Sequence, residues 1–260
     1  MELSPLLESY LKQLGLPAII QHYRRVADDA TRSQATDEQF LCTLVEQEIR
    51  KREQQRLQRL IRSARFPMVK ELADVQFAAI PSVNQQQILA LAQGYYIPAA
   101  ESVILIGNPG LGKTHIASGL ARAACKQGYR VRFYTAATLV NDLLHAQADQ
   151  RVNRFMTHAL KYQLIVVDEL GFIPFSSVGA QLMFQFCSTV YERVALMVTS
   201  NLGFGDWTQV FGDERLTAAL LDRLTHKAHI LAFVGDSHRI RQRSQRERQA
   251  SSRAEMGTTT

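Results

Sequence analysis

The chain has 260 residues, 46% of them hydrophobic and 21% charged, which suits one large domain with a smaller attachment and excludes wholesale disorder. Thirty Lys and Arg against 24 Asp and Glu leave a net charge of +6, so a polyanionic partner is expected. No apolar run approaches the roughly 18 residues needed to cross a bilayer, MELSPLLESY has no secretory form, and Cys42, Cys125 and Cys187 fit neither a zinc site nor a disulfide framework, so a cytoplasmic protein is expected.

Residues 1–66 read as an all-helical domain for DNA binding or assembly. Ser4-Pro5 has the form of a cap followed by proline at the first helical position, and Gly15 ends that helix. Pro17 opens a short second helix. Thr36-Asp37-Glu38-Gln39 has capping-box form and starts a long third helix, which Phe66-Pro67 stops.

The third helix carries the first of two basic segments. Residues 50–65 hold seven basic residues and one acid, and residues 239–253 hold six arginines and one acid, so the rest of the chain sums to −5. At about 100° per residue, Arg52, Arg56, Arg59 and Arg62 fall on one side of the helix, and Leu57, Leu60, Ile61 and Ala64 on the other. A row of planar guanidinium forks suits phosphates, which makes these four arginines the candidate nucleic-acid contacts. An anionic membrane is the other polyanion the charge allows, and a solvated face is the plain alternative. No aromatic interleaves the stripe, and nothing near it offers a patterned set of base-reading side chains. Duplex DNA bound through its backbone, with weak sequence preference, is therefore expected.

Residues 67–100 read as a connector with one helix after Asn84. From residue 101 to 243, short apolar strands alternate with helices, which predicts a parallel sheet covered on both faces. The strands are expected at Val103–Ile106, Val131–Tyr134, Leu164–Val167, Leu196–Thr199 and Ile230–Phe233, and the helices at 113–126, 137–147, 151–160 and 178–193. Residues 244–260 read as a basic flexible tail.

Two motifs carry chemistry. Gly107-Asn108-Pro109-Gly110-Leu111-Gly112-Lys113-Thr114 matches G-x-x-x-x-G-K-[ST] between an expected strand and an expected helix. Its glycines let backbone N–H groups close around a phosphate at a helix N-terminus, Lys113 reaches the β- and γ-phosphates, and the Thr114 hydroxyl is a candidate ligand for Mg²⁺. His115 is counted with the motif, although helix phase turns it from the phosphates. The strand Leu164–Val167 runs into Asp168-Glu169. Asp168 is the second candidate ligand for Mg²⁺, through a water, and Glu169 is placed to orient and deprotonate an attacking water. That pairing points to ATP hydrolysis rather than small-molecule kinase chemistry, which must exclude water. Asn201, after Leu196–Thr199, could touch both the γ-phosphate and the lytic water, or could be a turn asparagine.

With GNPGLGKTHIASGLARAA, RFYTAATLVNDLL, VVDELGFIPF and TSNLGFGDWTQVFGDERLTAALLDRLTHKAHIL, nearly the whole chain resembles the IstB-like ATPases. These are AAA+ helpers encoded beside the transposase of one group of bacterial insertion sequences, and the DnaC and DnaI helicase loaders and the DnaA initiator are more distant relatives. The resemblance implies a P-loop AAA+ α/β domain that binds target DNA with ATP, assembles on it as a homo-oligomer, and recruits or stimulates a cognate transposase. It implies that Arg223 is an arginine finger acting in a neighbouring subunit, with Arg215 as second choice. It implies that Arg239 is the second sensor on its own subunit's γ-phosphate, although Arg239 also opens the basic tail and could meet DNA. His238 stands where most relatives have tyrosine, and Gly203-Phe204 departs from the commoner Pro-Phe. A helicase loader is the alternative function.

Overall fold

The computed structural model describes residues 3–68, 70–75, 77, 80 and 82–235. The second basic segment with His238 and Arg239, and the tail 244–260, lie outside the described residues. The chain divides into two compact units, Met1–Arg59 and Leu60–Thr260, so the division falls inside the third helix and the connector belongs to the second unit.

The first unit holds α1 (Leu3–Gln13), α2 (Pro17–Ser33) and most of α3 (Asp37–Ala64). α1 begins before Ser4, so Ser4 lies in the first turn rather than at the cap. Gly15 adopts a left-handed φ of +65° after α1. Pro17 does open α2, but that helix runs 17 residues instead of being short, because Ala18, Ile19 and Val26 give it a continuous buried face. Thr36 and Gln39 form the expected reciprocal cap: Gln39 N donates to Thr36 Oγ1 (3.3 Å) and Thr36 N to Gln39 Oε1 (3.0 Å). Leu11, Ile19, Val26 and Leu44 make the core, with Leu16, Ile20, Tyr23 and Phe40 packed around it.

The second unit is built on five strands: β1 (Ser102–Gly107), β2 (Val131–Thr135), β3 (Leu164–Leu170), β4 (Ala195–Ser200) and β5 (Ala228–Phe233). They pair in parallel in the order β2-β3-β4-β1-β5. Val103–Leu105 and Leu164–Val167 are buried on both faces, as unbroken apolar runs in a covered parallel sheet should be, and each such side chain contributes about 1.5–3 kcal/mol on leaving water.

The connections are α4 (Gln85–Leu91) before β1, then α5 (Lys113–Lys126), α6 (Ala136–Ala148), α7 (Val152–Ala159), α8 (Ser177–Val190), α9 (Thr208–Phe211) and α10 (Glu214–Thr225). The crossover β1→β2 runs across the sheet in the opposite direction to β2→β3, β3→β4 and β4→β5. Right-handed connections then put α5 on one face and α6, α8 and α10 on the other. The packing agrees: α6 and α10 both contact α8, in a core cluster that includes no residue of α5. α10 was not among the expected helices. Asp213 caps it by accepting from Leu216 N (2.7 Å), and Leu220 and Leu224 bury its inner face.

The connector is tied to α5. Glu71 pairs with Arg122 (3.0 Å) and Lys126 (3.2 Å), and the 3₁₀ turn Leu72–Asp74 lies over Gly119, where a side chain would press on Leu72. Among the described residues, no helix is long and apolar enough to cross a membrane.

Candidate nucleotide site

At the carboxyl ends of β1 and β4 the helices depart to opposite faces, the place where open α/β sheets bind ligands. β1 ends at Gly107, whose φ is +150° and where a Cβ would drive into the carbonyl of Phe233 on β5, so the loop can start here only from glycine. Gly112, at φ +87°, then turns the chain into α5. Lys113, Thr114 and His115 therefore begin that helix, where free backbone N–H groups and the helix dipole favour an anion. The Lys113 ammonium is folded back over the loop and donates to the carbonyls of Gly107 and Asn108 (2.8 Å to the latter).

Thr114 Oγ1 donates to Asp168 Oδ1 at 3.0 Å, which joins the two motifs across 54 residues of sequence. Asp168 is 2% exposed. Burial pushes its carboxyl above the usual range, against the opposing pull of hydrogen bonds from Thr199 and Thr114 and of the Lys113 charge. Thr199 Oγ1 donates to the same Oδ1 and accepts from Glu169 N (3.0 Å), so one hydroxyl fixes both acids. Nothing in the local sequence singles out Thr199, which reads there only as the end of a strand.

β3 runs to Leu170 rather than stopping at Val167, and its pairing with β4 shifts register between Val167 and Leu170. Glu169, at φ +61°, takes the strain of that irregularity and is exposed while its neighbours Asp168 and Leu170 are buried. Asn201 is half-buried beyond β4. Its Oδ1 is buried with no hydrogen-bond partner, beside Gly171. Glu169 and Asn201 thus lie at the carboxyl ends of the adjacent strands β3 and β4, and β4 pairs with β1, the strand that leads into the phosphate loop.

The connector also reaches the loop. Ser82 Oγ accepts from Val234 N (2.9 Å), and buried Ile80 packs at Gly112. No periodicity marks these residues, because they act as an irregular strap. His115 Nε2 lies 3.0 Å from the carbonyl oxygen of Glu71, so its ring faces the connector.

Residues 9–246 match the family model described as the IstB-like ATP binding protein. The chain belongs to this family. It is 32% identical over 237 residues to the insertion sequence IS21 ATP-binding protein of Pseudomonas aeruginosa, covering 91% of this chain and 89% of that one. It is also 32% identical over 241 residues to the IS232 counterpart of Bacillus thuringiensis, covering 93% and 96%. Among solved structures, DnaI superposes with a TM-score of 0.53 at 18% identity over 64% of this chain and 91% of that one, a likeness of fold alone. The likeness covers the parallel-sheet α/β fold with its phosphate loop, and the IstB-like chain is an ATP-binding protein of the insertion-sequence type.

The remaining candidate residues of this IstB-like chain are dispersed. Arg223 lines a cleft with Ser102 and Leu196, at the starting ends of β1 and β4. Its guanidinium stacks 4.6 Å from the centre of the Phe184 ring and donates to the carbonyl of Ala219 (3.4 Å). Its own phosphate loop leaves the other end of β1, about 20 Å away for a strand of this length, so Arg223 does not serve that loop. Arg215 is exposed in the first turn of α10. Arg52 is held by Glu48 (2.9 Å) and the carbonyl of Gly15 (2.8 Å). Arg56 and Arg59 are exposed in the first unit and Arg62 is exposed at the start of the second.

Proposed function

We propose that this IstB-like protein is a Mg²⁺-dependent, DNA-stimulated ATPase that assembles as a homo-oligomer on target DNA and recruits or stimulates the transposase of its insertion sequence. The 3.0 Å contact of Thr114 with Asp168 carries the chemical part of the reading, because it joins the phosphate loop to the acidic strand end. The donor set fits a divalent cation: a hydroxyl and a buried carboxylate are hard oxygen ligands. Mg²⁺ held by Thr114 and Asp168, the latter through a water, would neutralise charge on the phosphate oxygens.

The chain's own residues do the rest. Backbone N–H groups from Gly110 to Thr114 and the Lys113 ammonium bind phosphate. Glu169, aimed outward, takes the proton of the attacking water. Asn201, the residue after β4, contacts the γ-phosphate and that water. Arg223 reaches the γ-phosphate of a neighbouring subunit, which is consistent with its distance from its own loop. Arg56, Arg59 and Arg62 meet DNA phosphates. The relatives sharing 32% identity are insertion-sequence proteins, which favours this reading over a helicase loader.

The test combines two assays. Lys113→Ala should lose nucleotide binding, whereas Glu169→Gln should bind ATP, stop hydrolysis and stay trapped on DNA in a form that retains the transposase in a pull-down. Normal turnover by Glu169→Gln would remove the assigned base. A wild-type rate indifferent to duplex DNA would remove the DNA-stimulated part.

A further inference from the structure

The connector lies along one face of α5. His115, Gly119, Arg122 and Lys126 fall four, three and four residues apart, so they form a single stripe along the helix, roughly 16 Å long. Each member of the stripe meets the connector. His115 Nε2 donates to the carbonyl oxygen of Glu71 (3.0 Å), because a carbonyl can only accept. Gly119 leaves room for Leu72, which a side chain there would strike. Arg122 and Lys126 take one carboxylate oxygen of Glu71 each (3.0 Å and 3.2 Å). Glu71 is thus tied to the first turn of α5 through its backbone and to the last turns through its side chain. The Arg122 side chain is 11% exposed, and its pairing with Glu71 offsets the burial of that charge. The hydrogen bonds from Arg122 and Lys126 hold the Glu71 carboxyl below its ordinary value, so the contact is ionic at neutral pH.

Beyond Glu71 the connector turns back to the phosphate loop. Asp74 N donates to the carbonyl of Glu71 and Val75 N to that of Leu72 (3.1 Å each), which closes the 3₁₀ turn. Buried Ile80 then reaches Gly112, where a Cβ would stand 3.3 Å from Ile80 Cδ1. Gly112 is at φ +87°, and glycine loses more conformational freedom on ordering than any other residue. A buttress that removes this freedom before a phosphate arrives raises affinity without touching the phosphate.

We propose that the connector is a clasp that preorganises the phosphate loop, and that Glu71 is the positioning residue that sets how tightly the site holds ATP and ADP. Glu71 anchors the clasp on α5, and Ile80 delivers it to Gly112. The effect falls on binding rather than on chemistry, because Asp168 and Glu169 are fixed by Thr199 instead. ATP and ADP both carry the β-phosphate that such a loop cradles, so both respond alike. Coupling of this kind is reciprocal: the factor by which a closed clasp favours nucleotide is the factor by which nucleotide favours the closed clasp.

The inference deepens the reading of the loop as a nucleotide site, and Lys113→Ala tests that reading separately: wild-type binding by Lys113→Ala removes the site itself. The experiment uses the full chain with Glu71→Ala, with Glu71→Gln, and with Glu71→Lys and Arg122→Glu together. ADP and a non-hydrolysable ATP analogue, each with Mg²⁺, are titrated into every protein. Glu71→Ala should bind both ligands about 5–150-fold more weakly, the usual range for coupling between sites. Glu71→Gln keeps the shape, removes the charge, and should lose affinity in the same direction. The charge-reversed pair should recover most of the affinity, which a defect of packing alone would not allow. In turnover assays of Glu71→Ala, KM for ATP should rise while kcat stays at the wild-type value. Hydrogen exchange at the Asp74, Val75 and Ile80 amides should slow when ADP binds to the wild type, and Glu71→Ala should lose that slowing. Unchanged affinity in both Glu71→Ala and Glu71→Gln overturns the proposal. So does a loss confined to the ATP analogue, a lower kcat at unchanged KM, a charge-reversed pair as weak as Glu71→Ala, or wild-type exchange indifferent to ADP.

Discussion

Arg52 Nε lies 2.9 Å from Glu48 Oε1, one helical turn away on α3, while Glu48 Oε2 accepts from the backbone N–H groups of Ala18 (2.7 Å) and Ile19 (3.4 Å) at the start of α2. Leu16, at the N-cap of α2, offers no side-chain acceptor, so the cap comes from Glu48, a residue far along the chain. Arg52 Nη2 also donates to the carbonyl of Gly15. The first arginine of the basic stripe is thus part of the frame of the helical unit, whereas no described residue pairs with the side chains of Arg56 and Arg59.

That division gives a first prediction. Arg56→Ala with Arg59→Ala should flatten the plot of log K for duplex DNA against log salt by up to about two units, because each phosphate that an arginine neutralises adds about 0.9 to the slope. Stability should change by no more than about 0.5 kcal/mol for each substitution. Arg52→Ala should instead cost about 1–3 kcal/mol by leaving Glu48 without its cationic partner. Anisotropy titrations over a salt series and urea unfolding separate the two outcomes, and an equal flattening of the salt plot by Arg52→Ala alone would contradict the division.

Glu48 gives a pH dependence with a definite sign. Burial alone would raise its carboxyl, but the hydrogen bonds from Ala18, Arg52 and Ile19 outweigh burial and hold it below its ordinary value of 4.5. A depressed carboxylate contributes stability that is present above the unfolded value and is lost as pH falls through the folded one. Glu48→Gln should therefore destabilise the protein at pH 7 by about 1–3 kcal/mol. The gap between variant and wild type should narrow below pH 4.5. Urea midpoints measured from pH 7 to pH 3 check this; a gap that widens in acid would reverse the assignment.

Thr199 supports both acids of the nucleotide site, donating to Asp168 and accepting from Glu169 N. Thr199→Val keeps the shape and removes the hydroxyl. ATP binding should survive while kcat falls by about 10–100-fold, the usual cost of removing a group that orients catalytic or metal-binding side chains. Thr199→Ser should recover most of the rate. Equal impairment of both variants would mean that packing, not the hydroxyl, matters at this position.

Gly119 tests the docking of the connector on α5. Alanine normally gains up to about 1 kcal/mol over glycine inside a helix. Here a Cβ would lie 2.8 Å from Leu72 Cγ and 3.0 Å from its backbone nitrogen, so the substitution should destabilise by about 1–3 kcal/mol instead. Leu72→Ala should relieve much of that cost in the double variant, as a thermal unfolding cycle would measure.

The phosphate loop, the Asp168-Glu169 strand end, the alternation of strands and helices and the Thr36–Gln39 cap were all legible in the sequence, because each depends on residues close together in the chain. Glycines at fixed offsets, an apolar run of strand length and a capping pair are local chemistry. So is the amphipathic stripe of α3, whose phase follows from helical geometry alone. The family resemblance rested on the same local runs. What only the tertiary structure decided are the relations between distant segments. These are the order of the five strands, the sharing of Thr199 by two acids, the Glu48 cap on α2 and with it the removal of Arg52 from the free stripe, the strap formed by Ile80 and Ser82, and the position of Arg223 at the far end of the sheet from its own phosphate loop. No local pattern encodes these relations, since a buried donor takes whatever acceptor the packed chain brings within reach, and a helix such as α10 is held as much by the sheet face it covers as by its own residues.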